Sequence, residues 1–187
     1  MVRVTGALAV AGALIGLGSA SALASTTVLR PTAAHGASAA KVVQRVPTLE
    51  ERLVAAINEL RVARGLVPLR LNRQLASTAA EHSLSMAEQG YFEHSSPTGT
   101  PLWFRIETKY SPRGGYWSVG ENLAWASPRM TAKLALDLWL KSPEHRKNML
   151  NAAWRDIGIG GVYVHPAPGV FQGLSATIVT ADFGVRR

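Results

Sequence analysis

The apolar pattern of this chain changes period once, and that change limits the folds open to it. Leu53, Ala56, Ile57 and Leu60 recur at helical spacing, as do Leu75, Ala79, His82 and Met86, and then Leu134, Ala135, Leu138 and Trp139. From Ile157 the pattern becomes β-branched and glycine-rich, through Ile157-Gly158-Ile159-Gly160-Gly161-Val162-Tyr163-Val164. His165-Pro166-Ala167-Pro168-Gly169 is turn chemistry, and Val170–Phe171 and Leu174–Phe183 read as returning strands. Helices first and strands last predict an α+β fold, with helices layered on a hairpin or three-stranded antiparallel sheet.

Capping chemistry places the helices. Thr48-x-x-Glu51 reads as a capping box opening the first, with Gly65 just past its end. Asn72 caps the second and Gly90 closes it. Pro101 to Ile106 is one short helix. A cap at Ser127 or Thr131 opens the next, and Ser142-Pro143 opens a last short one with His145 in its first turn.

Residues 1–24 read as a secretory signal peptide. Arg3 supplies the positive start, an apolar run follows from Gly6, and Ala22-Leu23-Ala24 is the small-x-small cleavage pattern. Residues 25–47 read as a disordered Ala-rich linker, poor in the large apolar residues that offset ordering entropy. The folded domain is expected over residues 48–187. The chain is therefore predicted to be secreted, extracellular or associated with the cell envelope. It has no cysteine, which excludes thiol catalysis and thiolate metal sites, and a core of this size holds without disulfides. The net charge is +8, with fifteen Arg against five Lys. Export makes nucleic acid an unexpected partner; a lipid or an anionic envelope polymer suits the charge better, and a monomer is expected.

Three stretches carry the polar chemistry: Phe92-Glu93-His94, Gly120-Glu121-Asn122-Leu123 and Ser142-Pro143-Glu144-His145-Arg146. Imidazoles ligate metals and titrate near neutral pH. Glu121 sits in an apolar run, so it is buried in part and needs a partner. His145, at the start of a helix, is favoured as the neutral ring. Three residues that met in one cleft could hold a divalent metal or move protons. His35 and His165 fall in a tail and a turn, and His82 reads as a core histidine.

The ordered set Asn58-x-x-Arg61, Phe92-x-His94-x-x-Pro97-x-Gly99, Gly120-Glu121-Asn122-Leu123, Trp139-x-x-Ser142-Pro143-x-His145-Arg146-x-Asn148-x-Leu150 and Ile157-Gly158-Ile159-Gly160 resembles the bacterial branch of the CAP superfamily. That superfamily groups cysteine-rich secretory proteins, antigen-five allergens and plant pathogenesis-related proteins, and its domain is also called the SCP domain. The resemblance implies an α-β-α sandwich, with a central antiparallel sheet between helical layers. It implies a cleft in which His94, Glu121 and His145 would hold a divalent metal, zinc first, with Ser142 and Asn122 lining it; Tyr116-Trp117, in a Gly-rich loop, is the pair expected to contact a ligand, which adds Trp117 to the lining. The second acid of the family's cleft falls here on Ser142, which weakens a two-carboxylate hydrolase. The first expectation is thus a secreted binding domain. A peptidase or cell-wall hydrolase using the same cleft and a purely structural polar cluster stand beside it.

Overall fold

The computed structural model describes residues 3–5, 40–112 and 114–187. The cleavage site and most of the expected leader and linker lie outside those residues. A central sheet runs in the order β1 (Arg3–Thr5), β4 (Trp117–Ala126), β6 (Ala176–Arg186), β5 (Asp156–His165), β2 (Val42–Arg45), and the two-residue β3 (Arg70–Leu71) also pairs with β5. β4, β6, β5 and β2 are antiparallel to their neighbours, whereas β1 and β3 run parallel to β4 and β5. Helices α1 (Pro47–Val62), α4 (Ala132–Lys141) and α5 (Pro143–Met149) cover one face, and α2 (Arg73–Gln89) and α3 (Leu102–Glu107) cover the other. The expected α-β-α sandwich is what forms.

The caps explain most boundaries. Asn72 Oδ1 accepts from the amides of Gln74 and Leu75, and Gly90 closes α2 in the left-handed region at φ 75°. Thr131, not Ser127, caps α4 by accepting from Leu134, and Ser142 caps α5. The capping box at Thr48 does not form: the cap position falls two residues earlier, at Val46, and α1 begins at Pro47, whose missing N–H suits the first turn. Glu50 instead accepts from Arg45 and from the Gly161 amide.

Two expectations need correction. The ordered unit begins before Thr48, because Val42–Arg45 pairs with Val162–His165 as β2. All four of its side chains are exposed, so order comes from the backbone ladder and leaves no alternation of apolar and polar residues in the sequence. Val170–Phe171 is not a strand but part of a short 3-10 turn, Gly169–Phe171, which buries Phe171 against Trp125.

The two layers meet the sheet differently. On the α1 side the core is large, with Trp139, Trp154, Phe183, Ile157 and Leu53 buried together. On the α2 side the helix lies almost on the strand. A Cβ on Gly158 would stand 2.0 Å from the Ala76 amide nitrogen, and one on Gly160 2.2 Å from that of Ala80. Only glycine permits this approach. It brings Thr78, His82 and Ser83 of α2 down onto β5 and β6, where Ser83 donates to the Gly160 carbonyl.

Candidate functional site

Glu121 is the centre of a charged cluster on the α2 face. Its carboxylate is fully buried in β4. One oxygen accepts from His94 Nδ1 at 2.7 Å, and the other is ion-paired with Arg105 of α3. An ionised carboxylate only accepts, so Nδ1 of His94 carries the hydrogen. The left-handed turn at Gly90 returns the chain after α2 toward β4, which delivers His94. The side chains of His94 and Arg105 remain 17% and 15% exposed, so they are the cluster's contact with solvent.

A second carboxyl stands beside the first. Asp182 is the cross-strand partner of Glu121 in the β4–β6 ladder, and residues directly opposite share a face. Thr78 Oγ1 lies 2.6 Å from Asp182 Oδ2, and Arg105 Nη1 approaches the same oxygen at 3.7 Å. The two acids titrate in opposite directions. Burial disfavours the charge on both, but Arg105 and the His94 hydrogen bond hold Glu121 well below the usual carboxylate range. Asp182 is pushed up by burial and by the charge on Glu121, against Arg105. Burial works against the guanidinium of Arg105, yet the two acids keep it above its ordinary value.

His82 belongs to this cluster rather than to an apolar core. Its Nε2 faces the Glu93 carbonyl at 2.9 Å, and burial, opposed by Glu121 and aided by Arg105, brings its pKa down to about 4. Tyr91 joins it, with its hydroxyl 3.5 Å from His82 Nδ1.

His145 comes from the other layer. It is fully buried in α5, and burial together with the charge on His94 brings its pKa down to about 4, so the ring is neutral near pH 7. The backbone carbonyl of His145 accepts from Asn122 Nδ2 at 3.0 Å, and Asn122 accepts in turn from Asn148. Asn122 and Glu121 are consecutive on β4 and so address opposite layers. Asn122 is thus a buried tie between β4 and α5, not a cleft wall. Ser142 is a helix cap. Trp117 is 3% exposed, donates to the Tyr110 carbonyl and packs with Leu75, Ile106 and Val119, so it is core rather than lining.

The expected metal set changes accordingly. Both oxygens of Glu121 are engaged by His94 and Arg105, which makes Glu121 the group that orients His94 rather than a ligand. Among the described residues no group of three or more His, Cys, Asp or Glu is arranged to hold an ion. The free donors are Nε2 of His94 and both ring nitrogens of His145, buried without partners among the described residues. Two imidazoles are one short of the three protein ligands usual in an open zinc site. The chain therefore does not fit a three-ligand zinc centre.

Residues 54–173 match the sequence model of the cysteine-rich secretory protein (CAP) family. The chain belongs to that family. This CAP domain holds its shape with no cysteine at all. It is 34% identical over 118 residues to the protein YkwD of Bacillus subtilis strain 168, covering 63% of this chain and 44% of that protein. It is 32% identical over 113 residues to the membrane protein YlbC of the same organism, covering 60% of this chain and 31% of YlbC. The chain thus spans less than half the length of the curated relatives it matches. An extracellular protein containing a SCP domain from Bacillus anthracis superposes with TM-score 0.59 at 28% identity, over 75% of this chain and 41% of that one. An outer surface protein of Borrelia burgdorferi shares the fold, with TM-score 0.60 at 23% identity over 78% of this chain and 100% of that one.

Within the CAP domain, sequence reasoning found His94, Glu121 and His145 but missed Arg105, Asp182, Thr78 and the role of His82. One signal was available for Asp182: it is the lone acid in the apolar run of β6, as Glu121 is in β4.

Proposed function

We propose that the chain is an extracellular or envelope-associated binding domain, with His94 and His145 as its ligand-contacting groups. The observation that carries this reading is the contrast between a buried Glu121 with a partner on each oxygen and three buried imidazole nitrogens without partners among the described residues. A general base needs a lone pair within reach of substrate, and Glu121 is fully buried with His94 on one oxygen and Arg105 on the other. The imidazoles do offer lone pairs, and the ring of His145 is held neutral, the ligand form. A divalent ion, zinc first, is the proposed ligand. It would be held by the two imidazoles, with the rest of its shell from water or a group on another molecule. An envelope location is supported by relatives described as an extracellular protein and an outer surface protein. The net charge of +8 favours an anionic polymer or lipid surface as the wider partner.

Calorimetric titration of zinc into the purified protein tests the site. The expected result is one ion per chain, with binding abolished in a His94→Ala, His145→Ala double variant that retains its fold. No heat of binding, or binding unchanged in the double variant, overturns the ion reading.

A further inference from the structure

Asp182 is not needed for the binding reading, yet it is buried at the middle of the cluster. The charged groups facing it are Arg105 from α3 and Glu121 from β4. From α2 it meets Thr78, and across the ladder in β5 it meets Gly158, which has no side chain. His82, His94 and Tyr91 interact with the Glu121 end of the cluster. One guanidinium therefore serves two buried carboxyls. It is paired closely with Glu121 and comes no nearer than 3.7 Å to Asp182.

The hydrogen count at Thr78 bears on the state of Asp182. Thr78 Oγ1 lies 2.9 Å from the Leu75 carbonyl and 2.6 Å from Asp182 Oδ2. A hydroxyl has one hydrogen, and a helical threonine gives it to the carbonyl a turn behind. An ionised Asp182 has no hydrogen to contribute, so one of these two contacts would be between bare oxygens. A carboxylic acid closes the count: Asp182 Oδ2–H donates to Thr78 Oγ1, and Thr78 donates to Leu75.

We propose that Asp182 is an un-ionised acid and a positioning residue, whose proton, held against Thr78, leaves Arg105 to Glu121 and so fixes the ring of His94. Two carboxyls sharing one site titrate apart in this way, the second holding its proton while the first stays charged. Burial and the neighbouring Glu121 push Asp182 in that direction, against Arg105 and a hydrogen bond from Thr78. Ionising Asp182 would draw Arg105 away from Glu121 and loosen the hydrogen bond that orients His94. The proposal concerns the network alone, so it stands or falls separately from zinc binding.

The carboxyl carbon resonance of Asp182, assigned in ¹³C-labelled protein, reads the state directly. The expected result is the shift of a protonated acid at neutral pH, and the shift of an ionised carboxylate there overturns the proposal. Asp182→Asn gives a second readout, since its amide can donate to Thr78 while remaining neutral. An unfolded chain releases this proton near pH ~3.9, whereas the folded parent keeps it. The parent therefore loses stability as pH rises above that value, and the variant does not. The melting temperature of Asp182→Asn should gain on the parent's from about pH 5 to pH 9, with the His94 ring resonances unmoved at neutral pH. A difference flat in pH, or one that turns against the variant as pH rises, overturns the proposal. Should the variant fail to fold, the parent's carbon shift decides alone.

Discussion

His94 donates its Nδ1 hydrogen to Glu121 across 2.7 Å, and Arg105 occupies the other Glu121 oxygen. The three side chains form one unit in which Glu121 holds both of its neighbours in place.

Glu121→Gln keeps the shape and removes the charge. Arg105 is then left largely buried beside a neutral amide. Breaking a buried pair from one side costs about 3–5 kcal/mol. Because Arg105 keeps some exposure, the lower end is expected, roughly 3 kcal/mol by urea denaturation. A loss under about 1 kcal/mol would mean that solvent screens the pair as it does on a surface.

Acid should loosen the fold before its carboxylates titrate. The folded pKa of His82 lies near 4, below its unfolded value near 6.5. Between those values the unfolded chain takes up a proton that the folded one refuses. The contribution of this ring is full above about pH 6.5 and falls as pH drops toward 4, by at most about 1.4 kcal/mol per pH unit. Melting curves from pH 7 to 4 should show the decline, and His82→Gln should flatten part of it.

The contact between α2 and β5 leaves no room for a methyl group. Gly160→Ala places a carbon 2.2 Å from the backbone of Ala80, where no flexible side chain can yield. A cost of about 3 kcal/mol is expected, the upper end for overpacking. The same change at Gly99, where nothing lies within 4 Å, strains only a left-handed turn at φ 83° and should cost less. Comparing their urea midpoints checks the ranking.

Asn72→Ala removes the acceptor for two first-turn amides of α2. About 1 kcal/mol should be lost. Asn72→Asp should restore it, as an equally good cap that also suits the helix dipole. Thermal melts of the two variants separate the cap from any other role of the position.

The parts of the molecule that depend on neighbours in sequence were legible in the chain. Asn72, Gly90 and Ser142 act within a turn of themselves and stand where the sequence put them. The His94 and Glu121 motifs named the centre of the site because each sets a polar group in an apolar context. What could not be read is register. Nothing in one sequence says that Asp182 stands opposite Glu121, or that Arg105 of a six-residue helix reaches both. β2 was invisible because its side chains bury nothing. Trp117 was misplaced because a loop rich in glycine resembles a binding loop, whereas its indole fills the space between α2 and α3.

With only hydrogen atoms between α2 and β5 at Gly158 and Gly160, the spacing of that layer is fixed by main chain rather than by interchangeable side chains. Thr78 and His82 ride on that contact, so their height above Asp182 and Glu121 works as a gauge block. The segment Ser95–Thr100 and the half-exposed Phe104 lie outside it. A protein engineer could therefore rewrite those outer positions and find the charged cluster unchanged.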